Sequence, residues 1–320
     1  MCTAIAVKLV NTCFNRVSPT KAMTPIEKRA QLWTIFATIL VSTSFPIGAA
    51  ITQGLDSVVL TLMRFSIAAV FFGPFVAWKY GLTLPSLSDL ARYAVLSACL
   101  VGFFWAMFEA LRHTSPLNTA TIFTLTPTIS ATVAAVLLKE RLKTRSFIAL
   151  GLGIIGAVWV IFRGDVSSLI ALDINRGDAI FLAGTVAIGF FGPLIKYLHR
   201  DEPMARMSFW IFATGTGWLL LLALPRLSGI DWVAVPNMVY WGVLYLAFFT
   251  TLITFFLLQW STMIIGPTKV SSYIYIHPVL VLIIGLALGH DAPPALIYPG
   301  LVLVLGATVV LQTAPQRTAA

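Results

Sequence analysis

Charged residues are scarce: Asp, Glu, Lys and Arg make up 10% of 320 positions, with only 12 acids, where an ordinary globular chain carries about 25%. A soluble surface of that size cannot be dressed with so few charges. Cysteine is nearly absent as well. Cys2, Cys13 and Cys99 have neither paired nor metal-type spacing, so no disulfide framework or metal site is expected. The histidines His113, His199, His277 and His290 fall in separate segments, which removes the clustered groups that metal-assisted or acid-base chemistry needs. No glycine-rich loop followed by Lys-Ser or Lys-Thr occurs, which argues against an ATP-driven machine. No cofactor is expected. The first 22 residues hold Lys8, Arg16 and Lys21, no acid, and only a short, broken apolar stretch. They read as a cytoplasmic tail, or as residues ahead of a true start at Met23.

What is abundant is apolar side chain, at 58% of positions. Apolar windows fall near 32–52, 57–78, 91–111, 117–138, 145–162, 178–197, 204–224, 237–260, 267–289 and 294–313. Runs of about 18 or more such residues are long enough to cross a bilayer. In lipid every backbone polar group has to be satisfied internally, so all ten are expected to be helices. The net charge of +9 would suggest nucleic acid in a soluble protein, but here the cations sit in the short gaps between apolar runs, where they set topology. No nucleic-acid partner is expected. With the N-terminus inside, the outer loops keep only Arg112, Arg163, Arg176 and Arg226, while the inner ones collect the rest of the loop cations, among them Lys28, Arg29, Lys79, Arg92, Lys139, Arg141, Lys143, Arg206, Lys269 and Arg317. That bias, about four to one, places both termini in the cytoplasm of a cell whose plasma (inner) membrane the chain crosses.

The two halves echo one another. Pro46 is matched by Pro193, Pro116 by Pro267 and Pro127 by Pro278, at offsets of 147, 151 and 151 residues. Each half holds five spans, and an odd number makes the second half enter the membrane upside down, as in many secondary transporters. The expected fold is all-α and integral to the membrane: ten transmembrane helices in two inverted five-helix repeats. Residues 1–31 form a tail, 32–163 the first repeat and 177–314 the second.

Several segments carry a family likeness. They are Leu60-Thr61-Leu62-Met63-Arg64-Phe65, Glu109-Ala110-Leu111-Arg112-His113-Thr114-Ser115-Pro116, Leu125-Thr126-Pro127, Leu137-Leu138-Lys139-Glu140-Arg141 and Arg176-Gly177-Asp178. With these the chain resembles the EamA-type transporters of the drug/metabolite transporter superfamily, over roughly residues 32 to 314. The resemblance implies a central cavity lined by spans one to four and six to nine, with spans five and ten outside it. It also implies export. The second half departs from the family pattern in carrying His290-Asp291 where a Glu is usual.

Polar groups inside a bilayer are costly and face protein or water, so each is a candidate for substrate binding or gating. Arg64 suits a carboxylate or a structural tie, and Glu109 stands at a depth where it could latch to Arg64. Lys269, Tyr273 and His277 are spaced i, i+4, i+8 and share one face of a regular helix. His277 could carry a proton or bond a substrate. Thr126 lies beside Pro127, and Trp105, Phe190 and Phe191 are candidate aromatic lining. Each has a plainer reading: a tie to a neighbouring helix, a snorkelling Lys269, a hydroxyl saturating backbone beside a proline, an aromatic packing against helices. Pro46, Pro127, Pro193 and Pro278 are the candidate hinges. The leading expectation is a secondary-active exporter of amino acids or related metabolites and drugs working by alternating access. The competing one is a membrane-embedded enzyme acting on a lipid-linked substrate. The expected partners are a small-molecule substrate and the lipid bilayer, with a homodimer left open.

Overall fold

The computed structural model of the chain describes residues 23–139, 144–171, 174–200 and 202–312. Lys8, Arg16, Lys21, Glu140, Arg141, Lys143 and Arg317, used above for orientation or likeness, lie outside the described residues. Every described regular element is helical. Among the described residues nine helical runs are long and apolar enough to span a membrane, and a shorter apolar helix, Ser146–Ile161, stands in the fifth position. We number the spans α1 (Pro25–Thr52), α2 (Ser57–Tyr80), α3 (Leu87–Ala110), α4 (Pro116–Phe123 and Thr126–Leu137), α5 (Thr144–Ile161), α6 (Arg176–Leu198), α7 (Met204–Leu227), α8 (Asn237–Ile265), α9 (Pro267–Ser272, Tyr273–Ile276 and His277–Ala287) and α10 (Tyr298–Gln312).

Local chemistry sets the ends. α1 begins at Pro25, well before the apolar window, because Thr24 and Glu27 form a reciprocal capping box and Pro25 occupies the first turn, where its missing N–H costs nothing. Asp56, Ser86, Ser115 and Asn175 cap α2, α3, α4 and α6 with their side-chain oxygens. Prolines act in two ways. α1 runs unbroken through Pro46, as does α6 through Pro193. α4 breaks at Thr124 and Leu125 just ahead of Pro127, and α9 tightens into a 3₁₀ turn, Tyr273–Ile276, just ahead of Pro278. A proline lacks the N–H for the preceding carbonyl and its ring crowds that turn.

Exchanging the halves carries the principal packing pairs into one another. α3 lies along α6 as α8 lies along α1, and α4 lies on α6 as α9 lies on α1; the pairs α2 with α7, α4 with α9 and α5 with α10 map onto themselves. This is the arrangement of two five-helix repeats about a pseudo-two-fold, with α5 and α10 paired at the back. Their crossing is close: a methyl at Gly156 would stand 2.7 Å from the Gly300 carbonyl oxygen.

We call the side where α1 begins the first face and the opposite side the second. At the second face the helix ends are drawn tightly together. The Thr52 hydroxyl donates to the Phe108 carbonyl at 2.6 Å. A methyl at Gly54 would meet Val239 at 2.5 Å, and one at Gly242 would meet Ile51 at 2.6 Å. The first face is tied differently. There Arg92, buried near the start of α3, donates to Glu202 at 2.8 and 3.0 Å, to Asp89 at 2.8 Å and to the Leu198 carbonyl, while the Tyr93 hydroxyl donates to Glu202 at 2.7 Å.

Candidate functional site

Between α1, α2, α3, α4, α6, α7 and α8 lies a cavity of about 350 Å³. Its wall reaches Met204, the opening residue of α7, and Thr262 near the end of α8, both at the first face. Toward the second face it stops at Arg64 and Met107, beneath the packed helix ends. Most of the wall is apolar: Phe45, Phe103, Phe104, Phe123, Phe191, Ile211 and Phe212 among others. Among the described residues no acid lines it. The hydroxyls on its wall, such as Ser44, Ser208, Thr254 and Thr262, donate to carbonyls of their own helices, so toward the cavity they offer lone pairs.

Arg64 is the one cation on that wall and is only 1% exposed. Its Nε donates to the Thr251 hydroxyl and its Nη2 to the Thr250 hydroxyl, both at 3.0 Å. Its Cζ lies 4.0 Å from the centre of the Phe104 ring, where the ring quadrupole favours a cation. Nη1 is buried with no hydrogen-bond partner among the described residues.

The two threonines face the same group because α8 widens into a π-helical stretch, Phe248–Ile253. Successive side chains of a regular helix point well apart, but here Thr250 and Thr251 both donate to the single Leu246 carbonyl, at 2.8 and 3.0 Å, which leaves both oxygens to accept from Arg64. Such π bulges are frequent at functional sites. The result is a desolvated guanidinium held by neutral partners, with no carboxylate beside it among the described residues. An anionic oxygen arriving in the cavity would meet a donor already in place.

The remaining sequence candidates divide. Glu109 does not pair with Arg64. It sits at the second-face end of α3, accepts from the Ser57 hydroxyl at 2.8 Å and lies 3.7 Å from Arg112 and 3.6 Å from His113. The turn that follows α3 brings those two side chains to it at i+3 and i+4. Trp105 and Phe190 are 38% and 41% exposed on the outer surface of the bundle and are absent from the cavity wall. Their neighbours Phe104 and Phe191 hold the inward positions instead, because one residue on a helix turns the side chain by about 100°. Thr126 is buried outside the cavity wall, its hydroxyl without a partner.

The Lys269, Tyr273 and His277 stripe is interrupted. The 3₁₀ turn Tyr273–Ile276 has three residues per turn instead of 3.6, so the register that would align them is lost. The Lys269 carbonyl and Ser272 meet Gln312 of α10, whereas His277 meets Ser42 of α1, its Nδ1 2.7 Å from the hydroxyl oxygen. None of the three lines the cavity. Of the candidate hinges, Pro127 and Pro278 mark real breaks, while Pro46 and Pro193 sit inside continuous helices.

Sequence reasoning missed Thr250, Thr251 and Phe104. Two adjacent hydroxyls inside the apolar run Phe248-Phe249-Thr250-Thr251-Leu252 were the available signal, but a π-helical register cannot be read from spacing.

The sequence matches the EamA-like transporter family twice, over residues 28–162 and over 175–313. It is 26% identical over 247 residues to the uncharacterized transporter YyaM of Bacillus subtilis (strain 168), which spans 76% of this chain and 80% of the relative. It is 25% identical over 269 residues to an uncharacterized transporter of Archaeoglobus fulgidus, spanning 82% of this chain and 90% of the relative. A solved crystal structure 19% identical in sequence superposes with a TM-score of 0.62, covering 88% of this chain and 96% of that one; it speaks for the fold alone. The duplicated match falls on the two halves that pack as pseudo-symmetric mates, and with it the chain belongs to the EamA-like transporter family of the drug/metabolite transporter superfamily and is a multi-pass integral membrane transporter.

Proposed function

We propose that this protein is a secondary-active carrier for small organic acids with an apolar body, such as aromatic or aliphatic amino acids and drug-like carboxylates, which it exports by alternating access. The observation that carries the reading is the Nη1 of Arg64, unpartnered among the described residues, in a cation on the wall of a mostly apolar cavity. A carboxylate would complete the guanidinium's hydrogen bonding and supply its counter-charge. The aromatic wall would take the apolar remainder, and the volume of about 350 Å³ lies at the small end of the range for small-molecule sites. In this state the cavity reaches the first face and the second is packed shut. Lys28, Arg29, Lys79, Arg200 and Arg206 gather at the first face, which supports a cytoplasmic placement for it, with both termini, in a plasma membrane.

The test is counterflow in proteoliposomes against a panel of amino acids, organic acids and cationic drugs. Saturable exchange of carboxylates, with cations ignored, is the expected result. Exchange of cationic drugs alone, or chemical turnover without translocation, would overturn it.

A further inference from the structure

His277 lies behind the cavity, and its surroundings are not those of a structural histidine alone. It is 3% exposed, and its ring is covered by Phe45 and Phe123, with centroids 6.2 and 5.5 Å away. Both rings also line the cavity and touch each other at 6.0 Å. A single aromatic layer therefore separates the imidazole from the substrate space.

On its other side His277 meets Ser42, the innermost of a file of buried hydroxyls on α1. Thr34, Thr38 and Ser42 recur every four residues, all buried, each donating to the carbonyl one turn earlier: Thr34 to Ala30 at 2.8 Å, Thr38 to Thr34 at 2.7 Å, Ser42 to Thr38 at 2.8 Å. The Ala30 carbonyl also accepts from Ser261 of α8 at 3.1 Å. From Ala30 to Ser42 the file rises about 18 Å from the first face at 1.5 Å per residue, roughly half a bilayer core.

The Ser42 hydroxyl has one hydrogen and two acceptors within reach, the Thr38 carbonyl and His277 Nδ1. When Nδ1 carries a proton it donates to Ser42, and the hydroxyl hydrogen stays on Thr38. When Nδ1 is bare, the hydroxyl hydrogen must swing to it and release Thr38. This contact also joins two points where the regular helical hydrogen-bond ladder is interrupted. Ser42 stands one turn before Pro46, so its own carbonyl has no N–H to receive, and His277 opens the helix that follows the 3₁₀ turn of α9.

Resting on the carrier reading above, we infer that His277 is the proton-binding site of the transport cycle, connected to the first face by the Thr34, Thr38 and Ser42 file and to the substrate by the Phe45 and Phe123 pair. The step is a simple transfer: water-borne H⁺ adds to the imidazole lone pair to give imidazolium, and the same proton leaves to water on the opposite side later in the cycle. The elements packed on His277 bring it no carboxylate. α1 carries charge only at Glu27, Lys28 and Arg29 in its opening turns, and the first segment of α4 carries none. α9 itself contributes Lys269, Tyr273 and Tyr275, the last of which packs with α5 and α10; α10 adds Tyr298. An imidazolium enclosed there keeps the Ser42 oxygen as acceptor but has no counter-charge beside it among the described residues, so protonation and parting of the aromatic pair belong to one event. Substrate resting on those rings would feel it.

The experiment uses the full chain in proteoliposomes holding a lumenal pH dye, with phenylalanine as probe. Wild type is expected to couple phenylalanine movement to a lumenal pH change and to accumulate the probe on an imposed pH gradient. In His277→Gln, which keeps a partner for Ser42 but takes no proton, the ratio of gradient-driven to exchange flux falls about tenfold or more, a change well outside ordinary variation between surface mutants. Ser42→Ala keeps the ring and moves the pH optimum of uptake, giving a second readout should the Gln variant fold poorly. Exchange without proton movement in wild type, or gradient-driven accumulation surviving in both variants, overturns the inference and leaves the carrier standing. Absence of any saturable exchange in wild type overturns the carrier reading and this inference with it.

Discussion

Arg64 of α2 and Thr251 of α8, 187 positions apart, meet at 3.0 Å between guanidinium Nε and hydroxyl oxygen. The contact joins the first repeat to the second at the blind end of the cavity, and it exists only because α8 carries a π-helical stretch there. Replacing Arg64 with Gln is expected to raise KM for a carboxylate probe about tenfold or more, the equivalent of about 1.4 kcal/mol, with a smaller change for its decarboxylated amine. Lys should rescue charge but not geometry, since it has no fork to share between Thr250 and Thr251. Equal losses for acid and amine would dissociate Arg64 from the substrate.

Phe104 and Trp105 are neighbours in sequence with opposite surroundings. Phe104→Leu removes the ring under the Arg64 cation and should weaken carboxylate uptake by up to about thirtyfold, since a desolvated cation–π contact contributes about 2 kcal/mol. Trp105→Leu, on the outer surface, should leave uptake kinetics within about twofold. The same contrast is expected between Phe191 and Phe190. Uptake kinetics of the four variants, each normalised to purified protein, decide it.

Much of this was legible in the residues and some was not. Ten helices follow from apolar runs, and the two-fold echo of Pro46, Pro127, Pro193 and Pro278 follows from their offsets, because membrane physics allows few alternatives. That polar groups in apolar runs turn toward protein was legible too: Arg64 and His277 are both enclosed by it. Azimuth was not. Whether Phe190 or Phe191 faces inward depends on helix rotation, which is fixed by packing against the other repeat. Lys269 and His277 part company over a 3₁₀ turn, and Thr250 aligns with Thr251 over a π turn; both are departures of a fraction of a residue per turn that leave no trace in spacing.

Gly156 and Gly217 separate packing from propensity. A methyl at Gly156 would stand 2.7 Å from the Gly300 carbonyl oxygen and 3.0 Å from the Val304 nitrogen, whereas nothing lies within 4 Å of one at Gly217. Gly156→Ala should destabilise by about 1–3 kcal/mol through overpacking. Gly217→Ala should be neutral or stabilising by up to about 1 kcal/mol, as expected in a helix interior. Thermal unfolding in one detergent would show the two midpoints moving apart; an unchanged midpoint for Gly156→Ala would contradict the close crossing of α5 and α10.

Glu202, in the loop between α6 and α7, gives a pH prediction. Burial alone would raise its carboxyl, but hydrogen bonds from Arg92 and Tyr93 and the Arg92 charge more than reverse this and hold it below the usual carboxylate value. A depressed folded value means the network stabilises fully above the unfolded pKa, about 4.3, and the contribution is lost as pH falls through the folded one. Wild-type thermal stability should therefore decline below about pH 5, and Glu202→Gln should flatten that decline while lowering the midpoint at pH 7. An unchanged acid limb in the variant would remove Glu202 from the account.

The π-helical stretch of α8 has no mate. α3, its counterpart under exchange of the halves, is regularly helical from Leu87 to Ala110, and the positions 147 to 151 residues beyond Arg64, Ile211 to Gly215, carry no charge. Two near-copies folded head to tail would otherwise offer a cargo molecule two equivalent ways to lie. One widened turn and one guanidinium break that tie, and they leave the cavity with a charged end and an apolar end.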